Sequence, residues 1–337
     1  MGRPWHKLSE TELLKMRLCD LPLRIRGTPL QERTLRLLDE LHRKGLRFRP
    51  HIWLAEEWFT PDGIPGIAIP FYLAHPRLTK LERKYMLAVE GGTEQECMRI
   101  LRHEAGHAID NAYRLHYRRR WRELFGSYGR PYPETYKPRP NSRRYVLHLN
   151  NWYAQAHPAE DFAETFAVWL TPGYPWRRRY ANWPALEKLL YVDELMKEIA
   201  ELPPPNRRRR QIDALPQVRL SLGEHYRRKR DHYAVEWPAY YDRDLRRIFA
   251  AETRRARHPP AAGFLRSQRH EFCERVAWAT GAHAYTVNHI LQGMIERCRS
   301  LNLRLSGSPR TAREQVLLML TAHTMHVAHA GYYPMAV

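Results

Sequence analysis

Apolar residues recur at helical spacing along most of this chain, with strand-like runs in two short places. From Pro29-Leu30-Gln31-Glu32-Arg33 onward, residues 29–44 read as an amphipathic helix that stops near Gly45. Residues 47–55 and 64–73 read as strands joined through a turn at Thr60-Pro61-Asp62-Gly63. A short helix is expected around 78–88 and a longer one over about 93–117. The longer helix has a clear start: the Gly91-Gly92 break, then Thr93 as N-cap with Glu96 three residues on, a capping box. Cys97, Ile100, Leu101, Ala105, Ala108 and Ala112 follow at helical spacing, and no proline interrupts until Pro131. Residues 126–145, rich in Gly, Pro, Tyr and Arg, read as a loop. Further helices are expected over 158–170 and 184–201. Pro203-Pro204-Pro205-Asn206-Arg207-Arg208-Arg209-Arg210 is the clearest boundary. It divides the chain into domains 1–205 and 211–337, the second mostly helical with a proline break near 259–260.

The long helix carries His103-Glu104-Ala105-Gly106-His107, an H-E-x-x-H motif, in its middle. Four residues make about one helical turn, so His103 and His107 point the same way and can share one metal ion. Glu104 lies beside them, placed to deprotonate a water held by that ion. Two histidines and a glutamate on one face are costly to bury without such a use. The combination is the core of a zinc peptide hydrolase.

A catalytic zinc needs a third protein ligand and one open position. The extended pattern with Gly and His further along the same helix is absent, because Asp110 and Tyr113 stand at those places. The segment His157-Pro158-Ala159-Glu160-Asp161-Phe162-Ala163-Glu164-Thr165-Phe166 offers another answer. Pro158 suits a first helical turn, and Glu160 and Glu164 share a face while Phe162, Ala163, Phe166, Ala167 and Leu170 pack. Spacing alone leaves either glutamate as ligand. His148 and His157 are rivals between the motifs, His157 being better suited to capping the second helix. Asp110 and Glu164 are candidates to hold the far N–H of the metal-binding imidazoles.

The pairing of His-Glu-Ala-Gly-His-Ala-Ile-Asp with a downstream Ala-Glu-Asp-Phe-Ala-Glu-Thr-Phe resembles the gluzincin peptidases of the anthrax lethal factor type. More closely, residues from about 20 to 200 resemble a family of bacterial zinc-binding metallopeptidases. The resemblance implies an α+β, zincin-like fold, Zn2+ as cofactor, and a protein or peptide substrate. It implies Glu160 as the third ligand and Glu164 as its support. It also implies an oxyanion donor in Tyr153, seven residues before Glu160, where that pattern has a tyrosine. In the implied mechanism zinc activates water, Glu104 relays its proton, and Tyr153 steadies the developing oxyanion. The strand-like run Gly66–Leu73 contains Pro70. It reads either as an edge that accepts an extended substrate or as a plain core strand.

Composition adds a second question. The chain of 337 residues has a formal net charge of +20, which suits an acidic substrate, a nucleic acid or an anionic surface. No stretch of about eighteen apolar residues suggests a membrane span. The four cysteines, at 19, 97, 273 and 298, form no close pairs, as expected of reduced thiols in a cytoplasm. In the basic C-terminal region, residues 276–291 resemble a helix-turn-helix: Ala277, Gly281, Val287 and Ile290 take the small, turn and core positions. Tyr285, Thr286, Asn288 and His289 would then be exposed for base contact. A nucleic-acid-binding regulator with a zincin-like sensor is therefore the alternative to a peptidase.

Overall fold

The computed structural model describes residues 4–133, 136, 138–139, 142–233, 241–251 and 258–329. Two compact units account for them: one runs to Arg83 and resumes over Val89–His225, the other takes Lys84–Ala88 and continues from Tyr226. Both are predominantly helical, with little β structure.

In the first unit the elements are α1 (Glu10–Lys15), α2 (Pro29–Arg43), β1 (His51–Ala55), β2 (Gly66–Pro70), α3 (Pro76–Met86), α4 (Glu94–Tyr113), α5 (Arg119–Phe125), α6 (Pro158–Leu170), α7 (Trp176–Arg179) and α8 (Ala185–Ile199); α9 (Leu222–Tyr233) begins there, and α3 ends beyond the division. The expected helices at 29–44, 93–117, 158–170 and 184–201 all form. The one at 93–117 ends early, where Arg114 turns left-handed (φ 53°) into a 3-10 turn over Leu115–Tyr117. Thr93 caps α4 by accepting from the Glu96 amide at 3.1 Å. A buried pair joins α2 to α4: Arg102 donates to both oxygens of Glu40 at 2.7 Å.

The β structure differs from the simplest expectation. β1 and β2 pair in parallel, with Trp53 opposite Ala68. Their crossover, residues 56–65, contains no helix. It swings to the other side of β2, where Phe59 bridges Ala68 antiparallel and the Ala68 amide donates to the Phe59 carbonyl at 2.9 Å. β2 is flanked on both sides and all five of its residues are buried. Of the two readings of Gly66–Leu73, the core strand is the one observed; Pro70 is tolerated because it is the strand's last residue. Gly66 has no room for a side chain, since a Cβ there would run into the His51 ring. The crossover is stitched to α4: Asn111 donates to the carbonyls of Pro61 and Ile64 and accepts from the Gly63 amide, all within 3.1 Å.

The segment after the proline run is held by the same unit. Asn206 donates its side-chain amide to the carbonyls of Gly63 and Asn111, and its backbone N–H to Ala112. Trp53 donates its indole N–H to Ile212 at 2.9 Å. Leu18 and Cys19 donate to the carbonyls of Leu220 and Val218. His225 pairs with Glu56 at 3.0 Å. Arg207–Arg210 themselves are exposed.

The second unit contains α10 (Asp242–Ile248), β3 (Phe249–Ala251), α11 (Ala261–Ser267), α12 (Arg269–Thr280), α13 (Ala284–Ser300), β4 (Leu303–Leu305) and α14 (Pro309–His329). Its core includes Leu245, Phe249, Leu265, Phe272, Val287, Leu291, Met294, Val316 and Leu320. The helix-turn-helix reading is half met. Gly281 makes the turn at φ 72°, and Val287 and Ile290 are buried. The expected recognition face is not presented. Asn288 is buried and accepts from Arg269 at 2.5 Å, while Tyr285, Thr286 and His289 are only partly exposed.

The closest approach in the first unit is between α4 and α6. A Cβ on Gly106 would stand 2.7 Å from the Cα and 3.0 Å from the carbonyl oxygen of Ala163. Gly106→Ala should therefore force the helices apart and destabilise the fold by about 1–3 kcal/mol, read as a lower denaturant midpoint. Adding Ala163→Gly should not restore it, because the obstructing atoms are backbone. Burial also protects the thiols of Cys97, Cys273 and Cys298, and pushes the last two up to about 12. Alkylation of the native chain should label Cys19 alone, with the other three reacting only after unfolding, as mass spectrometry of the peptides would establish.

Candidate metal centre

Two helices supply the site. α4 carries His103 and His107 on the face turned toward α6, with Glu104 next in sequence and also buried. α6 starts at Pro158, with His157 as N-cap: its Nδ1 accepts from the Ala159 amide at 3.1 Å and its Nε2 donates to the Arg130 carbonyl at 2.7 Å. Glu160 follows in the first turn and Glu164 one turn later. With Gly106 against Ala163, the two histidines and both glutamates face one another.

One carboxylate oxygen meets both imidazoles. Glu160 Oε2 lies 3.0 Å from His103 Nε2 and 3.2 Å from His107 Nε2, and the two nitrogens are 3.1 Å apart. Ligands at zinc distances in a tetrahedron stand about 3.3–3.4 Å apart, so the triangle needs to open only slightly to seat an ion. Among the described residues this is the one group of three or more metal-binding side chains that converge in this way. Two imidazole nitrogens and a carboxylate at such range in a buried place require a shared positive charge, a proton or a metal.

The surrounding bonds favour the metal. His103 Nδ1 donates to Glu164 Oε1 at 2.8 Å, which leaves its Nε2 lone pair facing His107 and Glu160. Glu164 Oε2 takes the Leu149 amide at 2.8 Å. Burial raises the Glu160 carboxyl, but the His107 charge and the bonds from His103 and His107 overcome it and hold it well below the usual range. Burial likewise lowers His103, and its bonds to Glu160 and Glu164 more than reverse that, so a proton and a metal ion compete for its Nε2. Glu104, next to His103, is buried, and its Oε2 has no hydrogen-bond partner among the described residues. An orphan carboxylate oxygen on the residue next to a metal-binding histidine fits a bound cation with water.

The other expected residues fall as follows. The Tyr153 ring centroid is 5.6 Å from that of His103, and burial, then Glu160, raises its phenol well above the ordinary value. It follows a tight turn in which Asn151 and Trp152 are both left-handed, at φ 61° and 53°. His148 turns away from the triad and bonds the Arg99 carbonyl at 2.9 Å. Asp110 bonds His116 rather than His107: His116 Nδ1 donates to Asp110 Oδ2 at 2.6 Å. The chain reverses at Arg114 and brings His116 back onto α4, which helical spacing does not reveal. Three tyrosines from the 126–145 loop also reach this region. Tyr132 donates to Glu160 Oε1 at 2.9 Å, Tyr128 to Asp62 at 2.6 Å and Tyr136 to the Asn151 carbonyl at 2.9 Å. Their four-residue spacing was the available signal, though nothing in it names their partners.

Residues 96–172 match the family model described as "Putative zinc-binding metallo-peptidase". No curated protein and no solved structure matches the chain. The matched segment covers less than a quarter of the 337 residues. It nonetheless spans His103, Glu104, His107, Tyr153, Glu160 and Glu164, and ends just beyond α6.

Removing the carboxylate behind His103 tests the donor set. Glu164→Gln should weaken metal binding by roughly 10- to 100-fold, measured by competition with a calibrated chelator.

Proposed function

We propose that this chain is a zinc-dependent peptidase of the gluzincin type, with a zincin-like site, that hydrolyses peptide bonds in a protein or peptide substrate. One observation carries the reading. His103 Nε2, His107 Nε2 and Glu160 Oε2 meet within 3.2 Å, and Glu104, the residue after His103, keeps a buried carboxylate oxygen with no hydrogen-bond partner among the described residues. A metal held only for structure has no need of a general base at that place.

His103, His107 and Glu160 are the residues that would hold Zn2+. When bound, the ion supplies Lewis acidity, lowering the pKa of water and polarising the scissile carbonyl. Glu104 takes the proton of the attacking water and passes it to the leaving amine. Tyr153 donates a hydrogen bond to the oxygen that gains charge as the tetrahedral centre forms. Glu164 fixes the tautomer and tilt of His103 through Nδ1. Asp110 holds His116 through Oδ2. The family matched by residues 96–172 supports the same assignment.

The wild type and Glu104→Gln should each hold about one zinc per chain, measured by elemental analysis after dialysis. The wild type should cleave a peptide library or casein, and Glu104→Gln should do so roughly 10²- to 10⁴-fold more slowly. A wild-type chain that retains no zinc at neutral pH would sink the proposal.

A further inference from the structure

The metal site uses one oxygen of Glu160 and leaves the other to account for. Oε2 faces the two histidines, while Oε1 accepts from Tyr132 at 2.9 Å. Tyr132 comes from the loop before α6, 28 residues earlier in the chain. Its ring lies flat on the His157 imidazole, with centroids 3.9 Å apart and planes at 20°. His157 is itself held at both nitrogens, by the Ala159 amide and the Arg130 carbonyl. The seat of the phenol is therefore built from the helix cap next to Glu160 and from the loop two residues before Tyr132.

A carboxylate can bind a metal through one oxygen or both. Through both, Glu160 would bring the protein's donor atoms from three to four and, with water in the open position, make the ion five-coordinate. A hydrogen bond to Oε1 opposes this, since it draws on the lone pairs that a second metal bond would need and holds the carboxylate plane in place. We propose that Tyr132 is a positioning residue that confines Glu160 to one-oxygen ligation and so holds the site to four-coordination, with three protein atoms and one water. This rests on the metal assignment of the preceding section. It assigns to a loop residue, outside both helical motifs, control over the coordination number of the site.

Cobalt(II) in place of zinc reads coordination number directly, because its visible bands are intense when four-coordinate and weaken as the number of ligands rises. The wild-type chain, freed of metal and reloaded with one equivalent of Co2+, should give the intense spectrum. Tyr132→Phe keeps the ring on His157 and removes only the hydroxyl, so the fold should hold; far-ultraviolet circular dichroism checks that. The variant should bind Co2+ and lose most of the visible intensity as the second oxygen of Glu160 enters. Tyr153→Phe, which removes a phenol not bonded to Glu160, should leave the spectrum unchanged. A folded Tyr132→Phe with the wild-type cobalt spectrum overturns the proposal while leaving the metal site standing, as does loss of the intense bands in Tyr153→Phe but not in Tyr132→Phe. A wild-type chain that binds no cobalt overturns the metal assignment itself.

Discussion

Everything at the candidate site depends on how closely α4 and α6 approach. Each helix alone has a row of polar groups that is expensive to bury. Together, with Gly106 lying on the backbone of Ala163, they place each row in reach of the other. The two small residues are part of the chemistry: they stand between the histidines on one helix and between the glutamates on the other. A Cβ on Gly106 would press on the Ala163 backbone and push the two rows of donors apart.

Around this contact the rest of the first unit behaves as a frame. Arg102 and Glu40 tie α2 to the same helix through a buried pair, an arrangement costly to half-remove. Asn111 secures the β crossover to the other end of α4, and Thr60 donates to the Glu104 carbonyl at 3.2 Å. The crossover therefore follows α4 from Glu104 to its last turns. This explains why a helix bearing so few large apolar side chains is stable: it is surrounded on several sides by bonds to its neighbours as well as by packing.

The parts legible in the sequence are those governed by local rules. The bounds of α6 follow from Pro158 and its apolar face, the start of α4 from Thr93, and the pairing of His103 with His107 from the helical repeat. The facing of Glu160 and Glu164 toward α4 was open to inference because carboxylates in an apolar helix need a receiver. What was hidden depends on contacts across the chain. Parallel pairing of β1 with β2 requires the crossover to pass around β2, which alternation of residue types does not encode. The partner of Asp110 depends on a reversal at Arg114. The partner of Tyr132 depends on a loop with no periodicity. Asn288 looked free for recognition because the helical repeat does not show that Arg269 reaches it.

Asn206 has a practical meaning for anyone dissecting this protein. The three prolines before it look like a natural place to cut, and a fragment ending there would keep every candidate ligand. It would also strip the carbonyls of Gly63, Asn111 and Ala112 of their donors, leave the Trp53 indole without Ile212, and remove the strand-like partner of Leu18 and Cys19. The last turns of α4 would be left bare next to the site they support. A fragment intended to retain the metal centre has to carry the chain through His225, even though the twenty residues it adds bear none of the chemistry.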